Sequence, residues 1–408
     1  MADPTARLSS VDTLRGVAVL GILVVNIQAF AFVAAARTNP PVQGDLHGVN
    51  WWIWLATRVL FDGKFLSMFA MLFGASIALL ARRCAQRGVA TGPIHYRRMT
   101  ILLVIGLLHA HLLWYGDWLV PLALSGAVAF LYHDLPPRRL FAAGVAVYSV
   151  GSIVSLAVAW GLPRWSPGAA AELASLWSPS ADAVAWEVGR YRGGWLQQMA
   201  HRIPTALRYE TSGLATRALW QMTGLMLVGM ALMKLGILAA VRSPAFYAVM
   251  AAAGLAAGLP LVVVAVHGSA ASGWDVHDYL ALYGHLDYWG APIMSLGWIA
   301  GVLFLVRLGW TMPRVAAVGR LALTNYLLQT VICTTIFYGH GLGMFGRVER
   351  AGQAGIVAGV SIAQIALSGW WVRHFTYGPA EWVWRCLTYG RRFPLRRRGA
   401  LALSATDG

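Results

Sequence analysis

What most constrains this chain is a succession of apolar runs, each long enough to cross roughly 30 Å of hydrocarbon as a helix of about 20 residues. Ten such runs lie near 12–36, 64–82, 99–116, 118–133, 140–161, 216–238, 244–267, 288–309, 319–339 and 353–373 of the 408 residues. Inside lipid every backbone N–H and C=O needs an internal partner, so runs of this length fold as helices. The expected fold class is all-α: a polytopic membrane helix bundle of about ten transmembrane helices, with 1–390 as a single membrane domain and 391–408 as a basic tail. Composition agrees, since 58% of residues are apolar and 12% charged, about half the charged fraction of a soluble protein. The first run follows Arg7 and Arg15 and reaches Ala34-Ala35-Ala36, which resembles a signal-peptide cleavage site. Its length exceeds a typical signal core and reads as a retained helix.

Charge then sets orientation. The formal net charge is +16, and all but Lys64 and Lys234 of the 32 basic residues are arginine. Such an excess suits nucleic acid, anionic lipid or an acidic substrate, and the placement of the arginines decides among them. Roughly two thirds of them lie in or beside 83–98, 134–139, 239–243, 310–318, the N-terminus and the tail from 374, which fall on one side when ten spans alternate. The positive-inside rule puts that side, and both termini, in the cytoplasm. Lipid rather than nucleic acid is the partner of this charge, and the Arg391–Arg398 cluster meets anionic lipid.

Two segments are not simple spans. Residues 50–63, with Trp51, Trp52, Trp54, Arg58 and Asp62, read as an amphipathic helix lying on the outer surface. The loop at 162–215 mixes aromatic residues with arginines; it reads as surface-lying helix, or as a cap over the outer mouth or a glycan contact. Cys84, Cys333 and Cys386 form no C-x-x-C pair, so neither a disulfide framework nor a thiolate metal site is encoded. Asp275, His277, Asp278, His285 and Asp287 crowd one loop without a defined metal-ligand spacing, and no metal is expected. No P-loop, dinucleotide-binding glycine signature or nucleophile elbow appears.

Ionisable groups within a span cost roughly 2.5 kcal/mol or more each, so they face a cavity or a partner. His109 and His111 in the third run point about 160° apart on a helix. His109 shares a face with Gly106 and Gly116, which favours it for the bundle interior, and leaves His111 for the periphery. An imidazole there is fit to act as a general base. Asp117, eight residues on, is expected about 12 Å away along the same helix, so a carboxylate orienting His109 would come from another span. Asp12 suits a helix cap, Arg15 a snorkelling position and Asn26 a site facing the bundle. Asn325 and Gln329 form one polar stripe, either glue between helices or a substrate wall. Glu381 and Arg385 are spaced for an i,i+4 ion pair on an interfacial helix.

Several of these residues together resemble a family. Asp12-x-x-Arg15-Gly16 with Gly21 and Asn26, Ile105 to Ala110 followed by Gly116-Asp117, Gly319-Arg320 to Gln329 with Tyr338-Gly339 and Phe345-Gly346, and Gly378-Pro379-x-Glu381-Trp382-x-Trp384-Arg385 look like YeiB-type bacterial membrane proteins. These are similar to the wider transmembrane acyltransferase group, which includes the lysosomal heparan acetyltransferase and enzymes that O-acylate bacterial surface glycans. The resemblance implies a multi-pass protein of the bacterial inner membrane that moves an acyl group from cytoplasmic acyl-CoA, a substrate rather than a bound cofactor, to an outer acceptor. It makes His109 the catalytic position, whether as general base or as transient acyl carrier. Arg15, Arg97, Arg98 and Arg320 would then hold donor phosphates and Asn325 and Gln329 would line the passage, with Asp12, Asn26, Asp117, Glu381 and Arg385 completing the substrate-binding set. The group usually carries a tyrosine shortly after the aspartate, where this chain has Leu122. Members of the YeiB branch have also been labelled as possible transporters, so passage of a small or anionic solute is the second expectation.

Overall fold

The computed structural model describes residues 9–397; Arg7 and the end of the basic tail, 398–408, lie outside the described residues. The chain is helical almost throughout, as backbone satisfaction in lipid requires. Its helices are α1 (Ser9–Ala31), α2 (Gly48–Ala56), α3 (Lys64–Gln86), α4 (Thr91–Leu112), α5 (Leu119–Ala129), α6 (Pro137–Gly161), α7 (Pro167–Trp177), α8 (Ala181–Arg192) and α9 (Trp195–Arg208). There follow α10 (Leu219–Lys234), α11 (Pro244–Ala271), the single turn α12 (Val276–Asp278), α13 (Gly284–Arg307), α14 (Pro313–Arg320), α15 (Ala322–Phe337), α16 (Arg350–His374) and α17 (Pro379–Tyr389). Among the described residues β-structure is limited to one isolated bridge, Phe375 with Arg396.

Six helical stretches are long and apolar enough to cross a membrane, and the pair α14–α15, bent by 82° at Leu321, makes a seventh if it is one span. The expectation of ten spans thus exceeds what length and composition establish. The shortfall has a physical cause: α4 carries Arg97, Arg98, His109 and His111, while α5 and α10 are 11 and 16 residues long. Residues 50–63, expected as a surface helix, fall in α2 and the helical turn that follows it, and lead through Gly63, at a φ of +76°, into α3 within one apolar stretch, Gly48–Gln86. Trp54 is buried there against Val262, Val266 and Met294.

Close helix packing through small residues builds the centre, as it does where lipid removes the hydrophobic drive between helices. Gly16 and Gly319 bring α1 and α14 into backbone contact, so that a Cβ on Gly319 would overlap Asp12 O. Gly74 and Gly229 do the same for α3 and α10. The 162–215 loop forms a cap over one end of the bundle. Buried Arg202 donates to Leu112 O at 2.7 Å and to the Gln198 amide oxygen, Trp195 Nε1–H donates to Leu112 O at 2.9 Å, and Glu187 accepts from Ala34 N–H at 3.0 Å. The cap therefore closes the orphan carbonyl end of α4.

Candidate functional site

His109 is buried in the last turn of α4, and its surroundings follow from where that helix stops. The N–H groups of Leu113 and Trp114 both donate to His109 O, at 3.0 and 2.9 Å, and close the helix. The chain then doubles back at Gly116, where a Cβ would overlap the Trp114 ring. This turn returns Asp117 to the end of the preceding helix: Oδ1 lies 2.7 Å from His109 Nδ1, and Oδ2 accepts from Val120 N–H at 2.7 Å in the first turn of α5. The expected 12 Å separation is overturned, because α4 does not continue to Gly116 as a straight helix. The partner of His109 comes from the same chain segment, not from another span.

A carboxylate that receives an N–H on each oxygen orients the imidazole with its proton on Nδ1, and in the neutral ring this leaves the Nε2 lone pair as an acceptor. Nε2 faces the hydroxyl of buried Thr330 on α15, 2.9 Å away. Carboxylate, imidazole and hydroxyl in series at these distances form the arrangement in which histidine takes a proton from a hydroxyl. Sequence reasoning missed Thr330: a threonine in an apolar helix carries no signal until α4 and α15 are brought together. His111 points away and meets Glu210 at 2.9 Å, as the helical angle implied.

Beside this group lies a cavity of about 190 Å³ whose lining divides by chemistry. Arg15, Ser76, Arg98, Arg320 and Glu381 supply polar groups; Val19, Phe69, Phe73, Leu102 and Leu122 are part of its apolar wall. Arg15 bonds both Asp12, at 3.3 Å, and Ser76, at 2.6 Å. Arg98 lies over the Trp384 ring at 4.8 Å, eleven residues and about 16 Å along α4 from His109. Tyr326 joins the two sites. It lines the cavity, its ring centroid is 5.3 Å from that of His109, and its hydroxyl accepts from Trp118 N–H at 3.2 Å.

A second cleft of about 10 Å³ shares Ile22, Leu66 and Trp118 with the first and is lined also by Asn26, Arg37 and Asp62. Behind it runs an ion-pair chain. Asp62 meets Arg37 at 3.5 Å and is paired with Arg58, which reaches Asp287 at 3.1 Å, and Asp287 faces buried Lys64 at 3.7 Å.

Other expected residues are held elsewhere. Asn325 donates to Ser368 Oγ at 3.0 Å and to Val318 O at 3.2 Å; Gln329 donates to the Gln364 side chain at 2.9 Å and to Val19 O at 3.3 Å. Their stripe joins α15 to α16 and α1, and neither residue lines the cavity. Glu381 does not pair with Arg385. Its carboxylate accepts from Leu323 N–H (2.8 Å), Thr324 N–H (3.1 Å) and the Thr324 hydroxyl (2.5 Å), because α15 begins abruptly at the bend and its first N–H groups need an acceptor. Burial nevertheless pushes the Glu381 carboxyl up from its ordinary range. Arg385 stacks on Tyr377, Tyr389 and Phe393, and Arg97 donates to Thr388 O at 3.2 Å. Asp275, His277 and Asp278 converge but are exposed, while His285 and Asp287 turn to Ser152 and Arg58.

Comparison with known proteins bears on these residues. Over 393 residues the chain is 35% identical to the "Uncharacterized protein YeiB" of Escherichia coli (strain K12), covering 94% of this chain and 96% of that protein. The chain belongs to the YeiB family. It is also 28% identical over 420 residues to the "Uncharacterized protein YxaH" of Bacillus subtilis (strain 168), with 96% of each chain covered. The family profile described as "Protein of unknown function (DUF418)" matches residues 232–391. That stretch contains Arg320, Tyr326, Thr330 and Glu381, so the α14–α15 bend and the α17 contact that caps it both fall within the family's shared region. This YeiB-family chain is a membrane protein.

Proposed function

We propose that the protein is an acyltransferase of the bacterial inner membrane that passes an acyl group from cytoplasmic acyl-CoA to a hydroxyl or amine acceptor outside. One observation carries this reading: a single cavity exposes Arg15, Arg98 and Arg320 and also Tyr326, which touches the histidine of an Asp117–His109–Thr330 series. Guanidinium groups are suited to donor phosphates. In the proposed orientation, ten crossings with both termini cytoplasmic, the arginine end opens to the cytoplasm, where acyl-CoA is found. The acceptor hydroxyl takes the place of the Thr330 hydroxyl at His109 Nε2, and its proton moves to the imidazole while Asp117 stabilises the resulting charge.

Acetyl-CoA binding to the purified protein tests the donor half. Binding by the wild type, weakened at least tenfold in Arg98→Ala, supports the reading; no binding of any acyl-CoA contradicts it. A solute pathway is the second reading. It is favoured by the back-to-back placement of the cavity and the cleft across Ile22, Leu66 and Trp118.

A further inference from the structure

The geometry points to Tyr326 as the residue that stabilises the carbonyl oxygen of the donor thioester, an assignment that rests on the acyl-transfer reading above. Three observations converge on its hydroxyl. Tyr326 is the one tyrosine in the cavity lining, and Leu122, on the same lining, carries no hydroxyl. The Tyr326 oxygen accepts from Trp118 N–H, and among the described residues its own hydrogen has no acceptor. A buried hydroxyl satisfied as acceptor and unsatisfied as donor is half a hydrogen-bonding site, and the accepted bond strengthens the remaining donor. The ring also lies against His109, so a carbonyl within reach of Tyr326 is close to the base.

Several other polar side chains along the same wall are committed to other tasks, and the Trp118 ring, which also lines it, carries the Arg37 guanidinium over its face at 5.8 Å. Glu381 is an acceptor engaged at the start of α15, and Ser76 donates to Leu72 O at 2.7 Å. His95 Nε2 is paired with Gly126 O at 3.0 Å. The arginines belong to the phosphate end. Tyr326, whose ring lies against His109, offers the hydroxyl placed to meet charge developing on a carbonyl oxygen, which preorganised donors stabilise best in a site that excludes water.

In the step itself, the acceptor oxygen adds to the thioester carbon and its proton passes to His109 Nε2. The C=O π pair moves onto the oxygen, which receives a hydrogen bond from Tyr326 but not the proton. Collapse reforms the carbonyl and breaks the C–S bond, and the leaving thiolate takes the proton from His109 to depart as the thiol.

The test needs no acceptor. Acetyl-CoA and S-ethyl-CoA differ in that a carbonyl in the first is a methylene in the second. The full-length protein should bind acetyl-CoA about tenfold more tightly than S-ethyl-CoA, the size of one net hydrogen bond. In Tyr326→Phe the two should bind alike, with S-ethyl-CoA affinity at the wild-type level as proof that the site is intact. The carbonyl stretch of 13C-labelled acetyl-CoA should fall on binding to the wild type and not to the variant. Equal affinity for the two ligands in the wild type, or an unchanged preference in Tyr326→Phe, overturns the role of Tyr326 and leaves acyl transfer standing. Failure of both ligands to bind the wild type overturns acyl transfer itself.

Discussion

A histidine and an aspartate eight residues apart meet at 2.7 Å only because the helix between them stops. His109 was legible as a buried polar group on the glycine face of an apolar run. Asp117 is not legible there, because nothing in the apolar pattern breaks the run before Gly116. Trp114-Tyr115-Gly116 was the available sign of a turn: bulky residues crowd onto a glycine that admits no side chain. The pairing predicts the tautomer. In 15N-histidine NMR, His109 should appear as Nδ1–H with an unprotonated Nε2, and Asp117→Asn should shift that signature. A wild-type Nε2–H resonance would contradict the hydrogen-bond assignment.

A second residue-scale prediction concerns Glu187 and His201 in the cap, whose side chains approach to 3.5 Å. Burial pushes the Glu187 carboxyl up to about 7, partly offset by its bond from Ala34 N–H and by Arg208. Burial and then Arg208 push the His201 imidazole down to about 4. For Glu187 the docked cap keeps a proton the free segment loses, so its contribution is full below pH 4.5 and is lost as pH rises to about 7. For His201 the docked cap excludes a proton, so docking strengthens as pH rises from about 4 to 6.5. The two slopes oppose each other between pH 4.5 and 6.5. Hydrogen exchange of Trp195–Arg208 should therefore be nearly flat there. In Glu187→Gln, protection should instead climb toward neutral pH by about 1.4 kcal/mol per unit; a flat profile in that variant would refute the assignment.

At the scale of elements, the sequence was most readable where a helix is uniformly apolar and least where a helix carries function. The long apolar stretches were placed well, while α4, α5 and α10 do not pass as spans because polar residues or short length dilute them. The α14–α15 bend was not visible, since Leu321 is neither glycine nor proline. Glu381 explains how the bend is held: it caps a helix that begins in the interior, a role that spacing alone presented as an ion pair. Removing that acceptor in Glu381→Ala should destabilise the protein by about 1–2 kcal/mol, with faster exchange confined first to the start of α15; uniform loss across the bundle would argue against a local cap. Arg202 holds α9 onto the end of α4 in the same way. Arg202→Ala should expose the Trp195–Arg208 amides by about 1.5–3 kcal/mol, the range for a hydrogen bond to a charged group. Unchanged exchange would show that the cap is held by its aromatic contacts.

For the whole molecule, charge sets an expected orientation, and helix packing gathers part of that charge in one place. Arg15, Arg98 and Arg320, read first as part of a basic excess, converge on one cavity, whereas Arg97 and Arg385 support the α17 region. Convergence across α1, α4 and α14 is a property of helix packing and has no periodicity to betray it. Under the acyl-transfer proposal this cavity feeds an acyl group to the His109 site. The most direct measurement incubates proteoliposomes with radiolabelled acetyl-CoA on the arginine side and an extract of envelope glycans and small hydroxyl compounds on the other. Label should cross to the far compartment as an ester or amide, CoA should be released in equal amount, and both should be lost in His109→Ala. Uptake of a solute with no CoA release, unchanged by His109→Ala, would contradict acyl transfer.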